Sequence, residues 1–170
     1  EWGMEQCVRD LRISQIYEGT NGIQSQDLIG RKTIKCEGAY LKAYIDEIRD
    51  FANQMDAELN FIKDATLDAA TELESVTQFI LEAAQENPNF ANAVAVDYLH
   101  ALGLLSFSYM FARIAEAAQD KSTPFYQAKI NLAIYFVQRV LPELPMRISK
   151  IKAGADVIMR FSPEYFTQQA

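Results

Sequence analysis

The stretch Tyr98 to Ala112, YLHALGLLSFSYMFA, contains no Asp, Glu, Lys or Arg. A run without charge must be hidden from water, either inside a protein or inside a lipid bilayer. It is shorter than the ~20 apolar residues that a membrane span requires, and it carries His100, Ser106 and Ser108. The reading is therefore a buried helix of a helical bundle, with no membrane span. Helical periodicity extends on both sides, from Pro88 to about Gln119, which would make a rod of ~46 Å at 1.5 Å per residue. Such a helix, apolar nearly all round in its middle, is expected to be the central and most buried element.

The segments around it repeat the pattern. Tyr40, Tyr44, Ile48, Phe51 and Met55 recur at intervals of three and four, widened by Leu41, Ile45 and Ala52, and predict one amphipathic helix after Gly38. A second is predicted from Ala65 to Gln85, with Leu67, Ala70, Leu73, Val76, Ile80 and Ala84 on its apolar side and Asp64 as N-cap. Asn87-Pro88 and Ser122-Thr123-Pro124 read as helix starts, because a capping side chain followed by Pro suits a first turn whose N–H groups lack partners. The helix after Pro124 would bury Phe125, Ala128, Leu132, Phe136 and Val140. A last helix, about Pro145 to Arg160, would bury Ile148, Ile151, Ala155 and Ile158. In front lie two short helices, one from Met4 to about Gln15 and one opened by Thr20 or Asn21 as cap.

Only seven Gly and five Pro punctuate the 170 residues, and 49% of the chain is hydrophobic. The predicted fold is all-α, an up-and-down bundle of four to five long helices preceded by the two short ones. A net charge of −7 with no Lys/Arg block argues against nucleic acid or an anionic membrane as partner. Cys7 and Cys36 are not in a metal-ligand spacing, and His100 is the one histidine, so neither a His-based metal cluster nor a Ser-His-Asp arrangement is expected. Reduced thiols fit a cytoplasmic location. His100 is read as a satisfied core residue. Trp2, Tyr40, Tyr44, Phe107, Tyr109, Phe111, Phe125, Tyr135 and Phe136 are read as packing residues.

The densest motif sits at the other end of the chain. Arg9 to Gln24 reads RDLRISQIYEGTNGIQ and is followed by DLIGRK. The segment resembles the C-terminal catalytic signature of the flavin-dependent acyl-CoA dehydrogenases, in which an Arg-Asp pair precedes Ile-Tyr-Glu-Gly-Thr and then Ile-Gln. The stretches PFYQAKINLAIYFVQRVLPEL and ISKIKAGADVIM resemble the additional C-terminal helical domain of one subgroup of these enzymes. That subgroup acts on acyl-CoA esters, among them straight-chain fatty acyl groups and methylmercaptopropionyl-CoA. The resemblance implies that residues 1–38 end the catalytic bundle and that residues 39–170 form the additional bundle. It also implies that the chain, which does not begin with Met, is the C-terminal piece of a longer enzyme.

Carried over residue by residue, the resemblance makes Glu18 the catalytic base, with Tyr17 and Gly19 beside the acyl thioester and Thr20 near the phosphates or ribityl chain of FAD. Gly22 stands where some relatives carry a polar side chain, which leaves a backbone contact to the cofactor there. Implied partners are the acyl-CoA substrate, an electron-transfer acceptor and further copies in a homo-oligomer, with the isolated piece inactive. Arg9 and Asp10 are read as structural ion pairs or caps. Arg31 is read either as a contact to CoA phosphate or as a solvent-facing helix residue. The alternative reading gives residues from about Ala39 to Arg160 no chemistry at all, only oligomerisation or acyl or protein-partner binding.

Overall fold

Helix α5, Phe90–Ala118, is the axis of the molecule, and its sequence explains why. Phe90, Val94, Tyr98, Ala101, Leu105, Ser108, Ala112 and Ala115 follow one another at three and four residues, and all are buried. The alanines in this series let neighbouring helices approach closely, while each large side chain removed from water contributes about 1.5–3 kcal/mol. The computed structural model describes residues 3–16 and 20–167, with Gln15 by its backbone alone. Among these residues all regular structure is helical, in several long packed helices without strands.

The order is α1 (Glu5–Leu11), α2 (Thr20–Gln26), α3 (Ala39–Ala52), α4 (Asn60–Glu86), α5, α6 (Pro124–Arg139), α7 (Glu143–Ala153) and α8 (Asp156–Met159). α2 runs on without a break as a π-helix, Asp27–Ile34. α5 packs against α2 and its π continuation, α4, α6 and α7. By length and composition α5 could cross a membrane, a test that the core helix of a soluble protein also passes. Here the uncharged run sets Tyr98, Ala101, Leu104, Leu105, Ser108, Tyr109 and Ala112 into the protein interior.

Among the described residues the buried hydroxyls are hydrogen-bonded, whereas Gln119 Oε1 and Arg147 Nε are buried without a partner. Tyr109 donates its hydroxyl to Glu47 Oε1 at 2.9 Å, and the Thr66 and Ser108 hydroxyls meet at 2.8 Å. Arg49 pairs with Glu74 at 2.7 Å between α3 and α4, and Arg147 with Asp97 at 2.8 Å between α7 and α5. Each contact fixes two helices that side-chain packing alone would let slide.

Several boundaries and faces differ from the sequence expectation. α4 begins at Asn60, so Asp64 lies inside the helix. Asp56 caps the short 3₁₀ turn that precedes α4, Ala57–Leu59, accepting from Glu58 N–H at 2.8 Å, and the N-cap position of α4 itself is Leu59. Starting early is favoured by packing: Met55, Leu59 and Ile62 bury against Ala112, Ala115, Ala133 and Val137 in a second core cluster. Asn87 accepts from Asn89 N–H at 2.9 Å and holds a turn through Pro88, so α5 begins two residues later than expected.

The seam of α6 is rotated by one residue from the predicted one. Ala133, Phe136 and Val137 are buried, whereas Phe125 and Leu132 are about half exposed, at 53% and 48%. Phe136 stacks on Phe111 with centroids 4.8 Å apart, and that contact fixes the rotation. On α3 the buried line is Leu41, Ile45, Ile48 and Ala52, leaving Tyr40 exposed. Phe107 and Tyr135 are exposed as well, so the aromatic stripe is only partly core; Trp2 lies outside the described residues. His100 is on the surface, not in the core.

The predicted last helix is two. Gly154, at φ +67° and ψ −157°, ends α7 and redirects the chain into α8. That backbone region is essentially open to glycine alone. A Cβ at this position would lie 3.2 Å from Phe90 Cε2, so the turn also permits close approach to the start of α5. Beyond it Ala155 is buried, while Ile158 is exposed.

Candidate functional site

The motif segment is held locally. α1 and the following 3₁₀ turn, Arg12–Gln15, bury no residue in α1 and contact each other. Gln6 stands between the two charged motif residues. Arg9 donates to Gln6 Oε1 through Nη2 at 2.7 Å, and Gln6 Nε2 donates to Asp10 Oδ1 at 2.6 Å. This one-turn spacing brings i, i+3 and i+4 side chains together, so that Arg9 and Asp10 are linked through Gln6 on the exposed surface of α1.

Tyr17, Glu18 and Gly19 lie outside the described residues. They are flanked by the 3₁₀ turn before them and by α2 after them, the order of elements that the sequence predicted around Glu18. Thr20 is the first described residue of α2 and is half buried, and Asn21 lies inside the helix. Gly22 is exposed, and a Cβ placed on it would meet nothing within 4 Å. The first turn of α2 thus has open space at Gly22, while Ser25, one turn on, is buried and donates to the Gly22 carbonyl at 2.8 Å.

What anchors this helix is a hydroxyl network that the sequence did not reveal. In the π segment the Thr33 hydroxyl donates to Leu28 O at 2.9 Å and lies 3.5 Å from the Tyr98 hydroxyl. Tyr98 Oη is 3.0 Å from Thr77 Oγ1, whose own proton goes to Leu73 O at 2.7 Å. Tyr98 is therefore the donor to Thr77. Residues 33, 77 and 98 come from three helices, and no sequence spacing links them. Burial pushes the Tyr98 phenol above its ordinary value, the larger effect, against a smaller opposing one from its hydroxyl contacts with Thr33 and Thr77.

Beside this network a groove of about 710 Å³ opens between the π segment, the start of α3 and α5. Its floor is Leu28, Leu41, Tyr44 and Leu102, and Arg31, Lys32 and Lys35 stand along its rim. Arg31 is exposed and pairs with Asp27, which also takes Lys32 at 3.1 Å. These two cations hold the Asp27 carboxyl below its usual range, with the Arg31 hydrogen bond the larger cause. Among the described residues no three His, Cys, Asp or Glu side chains converge as a metal site would require.

With this geometry in hand, comparison with known proteins bears on most of the chain. Residues 44–162 match the family described as acetyl-CoA dehydrogenase C-terminal like. The 3-methylmercaptopropionyl-CoA dehydrogenase of Ruegeria pomeroyi is 31% identical over 170 residues, covering 95% of this chain and 29% of that protein. The broad-specificity linear acyl-CoA dehydrogenase FadE5 of Mycobacterium tuberculosis is 26% identical over 182 residues, 98% of this chain and 30% of that protein. A butyryl-CoA dehydrogenase of Syntrophomonas wolfei is 28% identical over 155 residues, 84% of this chain and 25% of that protein. The chain thus spans between 25% and 30% of the length of these relatives.

Proposed function

Because the chain belongs to the acyl-CoA dehydrogenase C-terminal-like family, we propose that it is the C-terminal part of an enzyme that oxidises an acyl-CoA thioester to the 2,3-enoyl-CoA, with Glu18 as the base. The observation that carries this reading is the sequence RDLRISQIYEGTNGIQ, Arg9–Gln24, on the N-terminal side of the family-matched residues 44–162. Removing hydrogen from adjacent carbons of a thioester needs a base for the α proton and an acceptor for the β hydride. When bound, FAD supplies that acceptor.

The carboxylate of Glu18 suits the first task. Its basicity rises as substrate displaces water, since desolvation disfavours the charged form. Thr20 offers a hydroxyl and a helix-start N–H to cofactor oxygens, and the open space at Gly22 admits close approach. These residues fit one edge of a flavin site; the opposite wall belongs to the rest of the enzyme. Tyr17 and Gly19 then flank the thioester, and the electrons pass on to a separate acceptor.

The test is Glu18→Gln in the longer protein that carries this segment. Acyl-CoA added without oxygen should no longer bleach the flavin, while the flavin stays bound. Normal turnover by this variant would remove Glu18 from the chemistry.

A further inference from the structure

The groove beside the π segment has a composition that neither packing nor the motif at residues 17–20 accounts for. Its volume of about 710 Å³ lies within the range of small-molecule sites. The floor is apolar, and the polar groups beneath it are already satisfied: Thr33 bonds Leu28 O and Tyr98 bonds Thr77. A ligand would therefore meet carbon below. Above, three cations occupy five consecutive positions of a chain whose net charge is −7. Asp27 neutralises one unit among Arg31 and Lys32, and Lys35 has no ion-pair partner among the described residues. The rim keeps an excess of two positive charges over the groove.

The end of a helix is ordinarily a poor place for an anion, because its last carbonyls carry partial negative charge. Here those carbonyls are occupied. Lys35 N–H binds Gly30 O at 3.0 Å, Glu37 N–H binds Ile34 O at 3.0 Å and Gly38 N–H binds Thr33 O at 2.8 Å. Cys36 Sγ lies 3.3 Å from Arg31 O. Glu37 at φ +50° and Gly38 at φ +75° turn the chain back so that these bonds form. The carbonyl ends are thus covered, and Arg31 and Lys32 share the single Asp27 carboxylate while Lys35 pairs with none among the described residues.

We propose that this groove binds a phosphate monoester bearing an apolar tail, the dianionic head between Arg31 and Lys35 and the tail over Leu28, Leu41 and Leu102. Two excess cations match a dianion, and a carboxylate would leave one unmatched. The groove is distinct from the motif: Leu28 is eight residues beyond Thr20, ~12 Å along the helix. The assignment goes beyond the dehydrogenase reading and does not depend on Glu18.

Dodecyl phosphate, kept below its micelle concentration, is the probe. Titrated into the chain and followed by calorimetry and by methyl NMR, it should bind saturably and shift Leu28, Leu41 and Leu102. Inorganic phosphate should bind far more weakly. The double variant Arg31→Gln/Lys35→Gln should weaken dodecyl phosphate about tenfold and Lys35→Arg should not, with unchanged melting temperatures because both positions are exposed. Leu102→Glu should abolish binding. The idea is overturned if inorganic phosphate binds as well as the alkyl ester, if the double variant binds like the original chain, or if shifts fall elsewhere. Capture by phosphatidic-acid vesicles without binding of dissolved dodecyl phosphate also overturns it, since that would mark a membrane-facing surface. Glu18→Gln should leave this titration unchanged, so failure here and failure of the dehydrogenase reading are separable.

Discussion

Replacing Tyr98 by Phe isolates one hydroxyl at the junction of three helices. The ring is fully buried, with 0% of its surface exposed, and its hydroxyl donates to Thr77 Oγ1 at 3.0 Å. Removing it strands no donor. Thr77 keeps Leu73 O at 2.7 Å, and Thr33 keeps Leu28 O at 2.9 Å. The cost is then that of one neutral hydrogen bond, about 1 kcal/mol. For a domain of this length that lowers the melting temperature by about 2–4 °C. Tyr98→Ala removes the ring as well and should cost about 3–5 kcal/mol, a fall of about 6–20 °C.

The same group sets an alkaline limb. Burial raises the folded-state phenol above its ordinary 10.0, so folding favours the protonated form. That contribution is fully present below pH 10 or so and is lost as pH rises through the folded value. Circular-dichroism melts between pH 7 and 11 should show Tyr98→Phe losing less stability at high pH than the unaltered chain. A residual limb from Tyr109, raised by burial and by the Glu47 carboxylate, should persist. A Phe variant that melts at or above the original temperature at pH 7 would refute the argument, because the hydroxyl would then cost more to bury than its bonds return.

Two further substitutions test other parts of the frame. Gly154→Ala places a Cβ in a glycine-only backbone region, 3.2 Å from Phe90, and should cost about 1–3 kcal/mol; the urea midpoint should fall with no change in slope. A neutral result would mean that the α7–α8 turn relaxes freely. Arg49→Met removes the cation that depresses the Glu74 carboxyl below its usual 4.5. Both side chains are partly exposed, at 35% and 44%, which limits the loss at pH 7 to about 0.2–1 kcal/mol. A depressed carboxyl contributes stability above its unfolded value and loses it as pH falls through the folded one. The variant and the original chain should therefore converge in melting temperature as pH falls from the usual 4.5 through the depressed folded value, and a gap that persists below it would assign the loss to packing of the Arg49 stem.

What could be read from sequence was whatever is decided locally. The uncharged run of α5 requires burial wherever it sits, and Pro124 opens α6 in the first turn as expected, although Thr123 makes no side-chain capping bond. The errors were of another kind. A wide apolar stripe says that a helix is buried but not which of its rows meets the neighbour. Hence Leu132 was expected inside and Ala133 lies there, chosen by Phe111 stacking on Phe136. Asp64 looked like a cap because nothing in the sequence shows that Leu59 and Ile62 have a pocket to fill against Ala112 and Ala133. The break at Gly154 depends on a backbone angle and on Phe90, both invisible to periodicity.

The site divides along the same line. The motif of the proposed site is contiguous in the sequence, whereas the helix that carries Thr20 and Gly22 is held by distant residues. α2 and the π segment form one unbroken helical rod, with Thr20 and Gly22 at one end. Ser25, Ile29 and Thr33 are buried along it at intervals of four, and the last meets Tyr98 in α5. α1, with no buried residue, has no comparable hold on the bundle. The position of Thr20 and Gly22 is therefore set from the C-terminal side, by the row of contacts that fixes the rod against α5. A site carried on such an element is located more sharply than one on a loop, because moving it requires breaking that row together. The helical bundle behind the motif thereby gives the first turn of α2 a fixed orientation, which the short segment Met4–Ile16 cannot provide by itself.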